Sequence, residues 1–375
     1  MIYLTCFAVS GIFIFLAEKG KGKQRIACLV IGIMIPAVLA GMRSSYVGTD
    51  IFLYARQVFA SAIGSSSLTW MGRWNSIYGV EYGYLLLNHI ISLFTVNIAW
   101  QFFAVELFIL IFIYKGFSYI KRNVSDRLSI AGMFMIYYLL FYNESLNLMR
   151  QSMAVAVTIY GFRYVHQRKF GKYLMTIALA MQFHITSLLA VIIYPIYVMV
   201  FVRRKYSLKY FLAVASIIGT PLIGRAAEMI IYTGVFGDKF FKYFNNGINM
   251  AYSFNQLIIR IPFIILIWYM ASVKRSNRSY YNFMIIVLLL DLVFAELRGI
   301  DATLYRLSLY FSIFKCAIYP EIAGIFCRKN TGFVKAVIWG SMLALWFYQI
   351  VYMNNGQTYP YMLNTYDKPV VPYVL

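Results

Sequence analysis

The sequence predicts an all-α, polytopic integral membrane protein of about twelve transmembrane helices plus one re-entrant or interfacial helix. Three observations predict it. Mean hydropathy is +0.70, and 62% of the 375 residues are hydrophobic, more apolar surface than a soluble domain can bury. Charged residues amount to 13% and are clumped between apolar runs. The clumps are basic: Lys19–Arg25, Lys115–Arg127, Arg163–Lys172, Arg203–Lys209, Lys274–Arg278 and Lys315–Lys335 hold 23 of the 34 basic residues. Cytoplasmic loops carry such an excess. Placing all six inside makes the apolar runs fall in pairs, with both termini outside. The same bias accounts for the net charge of +21 without nucleic acid as a partner.

The first run, Ile2–Ala17, has no basic residue ahead of it and 18-EKGKGKQR-25 behind it. That is the reverse of a cleavable signal and reads as a first span. A second run lies near 26–42. Residues 43–80 follow as an extracytoplasmic loop whose Trp70, Trp74 and Tyr78 suit the membrane interface. The segment 82-YGYLLLNHIISLF-94 is too short to cross and would invert the later clusters, so it reads as re-entrant or interfacial. Spans near 97–118, 128–142 and 152–165 come next. Runs 172–185 and 186–202 form a pair that turns within the membrane at 182-QFHITS-187. The remaining spans lie near 209–224, 256–273, 280–295, 304–325 and 333–351, with 225–255 as a second extracytoplasmic loop. The chain 1–375 reads as a single transmembrane domain without internal repeats. Cys6, Cys28, Cys316 and Cys327 fall in or beside apolar runs without metal-type spacing and read as small hydrophobes.

The eleven other basic residues all fall outside or at outer helix ends on this topology, and eight of them are arginine. A guanidinium's rigid fork matches phosphate oxygens, whereas lysine is a point charge. Arg43, Arg150, Arg260, Arg298 and Arg306 sit at the edges of apolar segments. A charge there faces a cavity or a partner, or snorkels to lipid headgroups.

Four polar clusters stand out. In 141-FYNESLNLMRQSMAVAV-157, a helix would put Glu144, Asn147 and Gln151 on one face and Asn147 beside Arg150. That is a polar stripe entering the membrane, or a polar seam between helices. In 291-DLVFAELRGIDATLYR-306, Asp291 and Arg298 share a face. Pairing with arginine is the expected use of Asp291, Glu296 and Asp301, whose spacing matches no metal motif, so no metal is expected. His184, at the tip of the 172–202 hairpin, suits either proton transfer or hydrogen-bonded packing. In 41-GMRSSYVGTDIFLY-54, Gly48 permits a turn and Asp50 stands where it would cap a helix starting near Ile51.

These stretches together resemble the EpsG family of polysaccharide polymerases, a branch of the Wzy-type polymerases. The resemblance rests on 42-MRSSYVGTDIFLY-54, Glu81–Tyr84, 145-SLNLMRQSMAVAV-157, 183-FH-184 with Thr186–Ser187, and 306-RLSLYF-311, with 357-QTYPYML-363 as a further match. It runs in order from Arg43 to Pro320. It implies a GT-C-like glycosyltransferase, multi-pass in the bacterial inner membrane with its active site facing outside. The implied reaction moves a growing glycan from undecaprenyl diphosphate to the terminal sugar of another lipid-linked repeat unit. No metal or cofactor is implied. Lipid-linked oligosaccharides and membrane lipids are the implied partners, with room for a chain-length regulator.

For that reaction, the outer arginines are the natural stabilisers of a leaving diphosphate. Arg150 and Arg298 are expected to form the main clamp and Arg43 and Arg306 to assist, with Asn147, Gln151, Asp291 and Asp301 in support. His184 and Glu144 stand level as general base. Asp50 ranks behind them, with orientation of Arg43 or of a sugar hydroxyl as its other role. Two other readings stay open. A lipid-linked oligosaccharide flippase or transporter would show repeated halves and a polar site near the midplane. An O-antigen-ligase-like transferase would share the donor and differ in acceptor.

Overall fold

The computed structural model describes residues 1–65, 68–216, 254–274, 277–299, 304–325 and 331–366. Among them all regular structure is helical, and the β-type pairing is an isolated antiparallel bridge between Arg43 and Leu363. Among the described residues, seven helices are long and apolar enough to cross a membrane: Ile2–Lys19, Gly22–Met42, Ala99–Asn123, Ile185–Val202, Asn255–Val273, Arg278–Glu296 and Thr331–Tyr352. The chain is a polytopic membrane protein. It clusters into two compact units, Met1–Leu188 with Tyr319–Leu375, and Leu189–Ile318.

The first unit is built on α1 (Ile2–Lys19), α2 (Gly22–Met42), α6 (Ala99–Asn123), α9 (Met149–His166) and α10 (Phe170–Met181), each packed on the next. Between α2 and α6 run the short helices α3 (Arg56–Ile63), α4 (Thr69–Tyr78) and α5 (Tyr82–Ser92). α7 (Ile130–Tyr137) continues through a π-helical turn, Tyr138–Tyr142, into α8 (Asn143–Asn147). Small residues let these helices approach closely, as expected where lipid supplies no hydrophobic drive between helices. A Cβ on Gly32 of α2 would stand 2.8 Å from Ile14 Cγ1 of α1. The approach lets Ser10 Oγ reach Gly32 O at 2.5 Å and Tyr138 OH at 2.6 Å.

The two ends of α1 mark the two ends of this unit. At its C-terminal end, Glu18 pairs with Lys121 of α6 and accepts from Ser129 Oγ at 2.8 Å ahead of α7. At its N-terminal end, Tyr3 OH donates to Thr358 O at 2.7 Å. Basic clusters 19–25 and 115–127 therefore share one end, as the charge pattern requires.

The second unit contains α11 (Ile193–Tyr197), a helix over 208–216, α12 (Phe254–Val273), α13 (Arg278–Glu296), α14 (Leu309–Ser312) and α15 (Lys315–Ile318). α13 is its core, with nine-tenths of its apolar window buried. From Tyr319 the chain is again part of the first unit, which includes α16 (Thr331–Trp346).

Several expected boundaries shift. Residues 43–80, expected as a loop, are largely helical, and Trp70 and Trp74 turn inward to 6% and 2% exposure. α5 has 11 residues, about 16 Å at 1.5 Å per residue, roughly half a bilayer core. The 172–202 pair does turn at 182–184, between α10 and the 3-10 helix Ile185–Ile192. The expected span 304–325 is a chain of short helical pieces. The expected span 209–224 and loop 225–255 fall largely outside the described residues. Lys315, grouped by sequence with a cytoplasmic cluster, is 6% exposed.

Gly32→Ala is expected to destabilise the protein by about 1–3 kcal/mol through overpacking against α1. Gly72→Ala, where an added Cβ meets nothing within 4 Å, should be neutral or stabilising. Thermal unfolding of the two variants in detergent checks the pair.

Candidate functional site

The polar stretch that follows α7 is not one continuous helix. Leu148, at φ −91° and ψ 53°, leaves the helical region and separates α8 from α9. The face expected to carry Glu144, Asn147 and Gln151 together is therefore broken between Asn147 and Gln151. The break frees carbonyls that a continuous helix would have engaged. Arg43 takes one of them: Nη1 donates to Leu146 O at 2.6 Å and Nη2 to Met149 Sδ at 3.4 Å. Its guanidinium lies over the Phe102 ring, 4.5 Å from the centroid, and the residue is 1% exposed.

Asn147 turns the other way. Its Oδ1 accepts from Thr49 Oγ1 at 3.1 Å and from the Asp50 N–H at 2.9 Å. Gly48, at φ +105°, makes the turn that presents these donors, a conformation glycine adopts without strain. A helical turn does begin at Ile51 with Asp50 at its cap position, but the Asp50 side chain makes no capping hydrogen bond. The C-terminal segment closes over this region. Gly48 N donates to Gln357 O at 3.0 Å, Ser44 N to Met362 O at 2.7 Å, and Asn143 Nδ2 to Thr358 Oγ1 at 3.1 Å.

Arg150, in the first turn of α9, reaches outward from this body to a second group. Nη1 donates to Glu81 Oε2 at 2.6 Å, and the guanidinium lies over the Tyr54 ring, 4.4 Å from its centroid. Tyr54 in turn meets Tyr84 edge to face at 6.3 Å. The other oxygen of Glu81, Oε1, accepts from Ile185 N at 3.0 Å. One carboxylate therefore holds both Arg150 and the residue that follows His184. His184 Nδ1 shares a hydrogen bond with Thr186 Oγ1 at 2.7 Å. A further lock sits beside it: Gly83 N donates to Gln182 O at 2.8 Å, and a Cβ on Gly83 would stand 2.6 Å from that oxygen.

Of the sequence-predicted residues in the first unit, Arg43, Asp50, Glu144, Asn147, Arg150, Gln151 and His184 all belong to this end, away from Glu18. Glu144 is half-buried in α8, and Gln151 is buried in α9.

In the second unit, Asp291 does pair with arginine, but with Arg260 instead of Arg298. Arg260 Nε donates to Asp291 Oδ2 at 2.9 Å, and Lys315 Nζ to the same oxygen at 2.7 Å. All three are under 9% exposed. Arg298, in the turn after α13, is exposed and lies over the Tyr305 ring at 5.2 Å. Arg306 is half-buried in the 3-10 turn Leu304–Ser308. Asp301 lies outside the described residues. Among the described residues no group of His, Cys, Asp and Glu is arranged to hold a metal ion.

Sequence reasoning assigned no role to Glu81, Tyr54 or Glu106. Glu81 opens a stretch that reads as the start of a short apolar run, and nothing local marks its distant partner. Glu106 carried a signal, a lone acid inside an apolar run. It is 2% exposed in α6, and its Oε2 accepts from Ser145 Oγ at 2.8 Å.

A family model described as EpsG family matches residues 26–363. No curated protein and no solved structure matches the chain.

Glu81→Ala and Arg150→Ala should each destabilise the first unit, and the double variant by less than their sum, with a coupling of about 0.5–3 kcal/mol. Denaturation in detergent measures the cycle. In the second unit, Asp291→Ala leaves Arg260 and Lys315 without their carboxylate and is expected to cost about 3–5 kcal/mol in the same assay.

Proposed function

We propose, because the chain belongs to the EpsG family, the family of Wzy-type polysaccharide polymerases, that it joins lipid-linked repeat units into polysaccharide. In this reading a hydroxyl on the terminal sugar of one unit attacks the anomeric carbon of a glycan held on undecaprenyl diphosphate. A new glycosidic C–O bond forms, the bond from carbon to the diphosphate oxygen breaks, and the acceptor's proton passes to a base. The reaction runs at the outer face of a bacterial inner membrane, in a GT-C-like body of about twelve spans, and uses no metal. Residues 43–80 and 225–255 face outside.

The observation that supports this reading is the Glu81 carboxylate, which fixes Arg150 and the backbone after His184 at once. The leaving diphosphate gains negative charge as the bond breaks, and a prepositioned guanidinium stabilises that charge without reorganising. Arg150 is held by Glu81 on one edge and by the Tyr54 ring on a face, so its fork is oriented before a donor arrives. We assign His184 as the leading general base and Glu144 as the runner-up, since the N–H of Ile185, next to His184, donates to the carboxylate that positions Arg150. Arg43 already donates to Leu146 O, so its part is to keep the 146–150 turn open. Asp50, fixed through Asn147, orients a sugar hydroxyl. Arg298 and Arg306 are assigned to the lipid diphosphate.

Purified protein given a lipid-linked repeat unit in vesicles should produce a ladder of glycan lengths on a gel. Translocation without a ladder would mark a flippase. Arg150→Lys keeps the charge and loses the fork, and is expected to lower the rate by about 100-fold, in the range of losing one transition-state donor. Wild-type rates from both Arg150→Lys and Arg150→Ala would remove Arg150 from the reaction. A double variant with Arg298→Ala tests whether the two arginines act on one group.

A further inference from the structure

The second unit contains a cationic cavity that the proposed reaction does not use. Two basic clusters expected on the cytoplasmic side, Arg203–Lys209 and Lys274–Arg278, meet there. Arg204 donates to Ser279 Oγ, Tyr206 OH shares a 3.1 Å hydrogen bond with the same hydroxyl, and Arg278 lies over the Tyr206 ring at 5.4 Å. That two loops assigned to one side by charge alone share hydrogen bonds supports their common placement.

Between them lies a cavity of about 300 Å³ lined by Lys209, Tyr210, Trp268, Ser272, Arg278 and Asn282, at the lower edge of the range for ligand sites. Lys209 is 7% exposed. Its Nζ donates to Asn282 Oδ1 at 2.8 Å and lies over the rings of Trp268 at 4.6 Å and Tyr210 at 5.0 Å. These partners are all neutral. Among the described residues, no carboxylate lies within ion-pair distance of Lys209 or Arg278. A nearly buried ammonium with only neutral partners is costly unless an anion completes its shell.

We propose that this cavity binds the phosphate headgroup of an anionic phospholipid from the leaflet that faces the basic loops. Charge and donor chemistry fit a phosphodiester: one buried ammonium and one exposed guanidinium, with no acid among the described lining residues to repel it. The aromatic walls fit the headgroup level, where Trp and Tyr with one apolar and one polar side belong. The lipid source follows from position. Trp268 and Ser272 lie near the end of membrane-spanning α12, and their neighbours Tyr269 and Val273 are more than half exposed, as is Phe211 beside Tyr210. A headgroup in the cavity would thus have apolar surface beside it for its acyl chains. Basic pockets at the ends of transmembrane helices recognise anionic headgroups in this way. The proposal does not depend on the polymerase reading.

Native mass spectrometry of the full-length protein in detergent tests it, with phosphatidylglycerol, phosphatidylcholine and inorganic phosphate as probes. Wild type is expected to retain one phosphatidylglycerol at least about tenfold more tightly than phosphatidylcholine, and Lys209→Gln and Arg278→Gln should each weaken it by about the same factor. Because Arg278 is exposed, Arg278→Gln reports even if Lys209→Gln unfolds. Equal retention of the two lipids, or wild-type binding by a folded Arg278→Gln, overturns the proposal. Displacement of the lipid by millimolar phosphate would make this a free-anion site and overturn the assignment to lipid.

Discussion

A helix that stops inside an apolar body leaves carbonyls that water cannot reach, and something else must satisfy them. At Leu148 the helix stops, and the guanidinium of Arg43 donates to the freed Leu146 carbonyl. The rest of this end of the first unit depends on that exchange. With the chain turned at Leu148, Asn147 faces the Gly48–Asp50 turn while Arg150 faces Glu81. An unbroken helix would have fixed these two side chains in a single angular relation one turn apart. The break lets Asn147 hold the Gly48–Asp50 turn and Arg150 hold Glu81.

The same economy of charge recurs around carboxylates. Glu81 uses one oxygen for a guanidinium and the other for a backbone N–H. Asp291 shares Oδ2 between Arg260 and Lys315, and its Oδ1 accepts from Arg260 Nη2 at 3.4 Å. Formal charges at Asp291 do not cancel: two cations meet one anion, in surroundings where all three are under 9% exposed. At Lys209 the described partners are neutral altogether. Among the described residues, the second unit thus sets two cations on one buried carboxylate and only neutral partners around Lys209. Low dielectric magnifies such an excess, and it favours anionic ligands over neutral ones.

The architecture was legible where a signal is local and repeated. Long apolar runs gave α1, α2, α6, α12, α13 and α16, because a bilayer demands length and hydrophobicity over each span. Basic clusters gave the common end of Glu18, Lys121 and Ser129, because charge sets orientation loop by loop. The turn at 182–184 was legible from its polar tip. What sequence missed depends on partners distant in the chain. Glu81 meets Arg150 across 69 positions, and Asp291 meets Arg260 across 31. Periodicity offered Arg298 to Asp291 because it sees only one helix at a time. Lys315 looked like a loop lysine because its cluster does, and only packing shows that it points inward.

The arginines show why residue type carried more information than position. Arg43, Arg150 and Arg278 each set the guanidinium plane over an aromatic ring, and Arg43 and Arg150 also send directed donors to oxygen. A lysine can supply the charge at such a place but not the plane. For Arg43 both faculties are used within the fold, on Leu146 O and the Phe102 ring. For Arg150 they leave an oriented group at the end of the unit where the Gly48–Asp50 turn, the His184 turn and the C-terminal segment also gather. Burial thus separates two arginines that the sequence had grouped. Arg43 is enclosed, and Arg150, held by Glu81, the Gly79 carbonyl and the Tyr54 ring, keeps part of its side chain exposed.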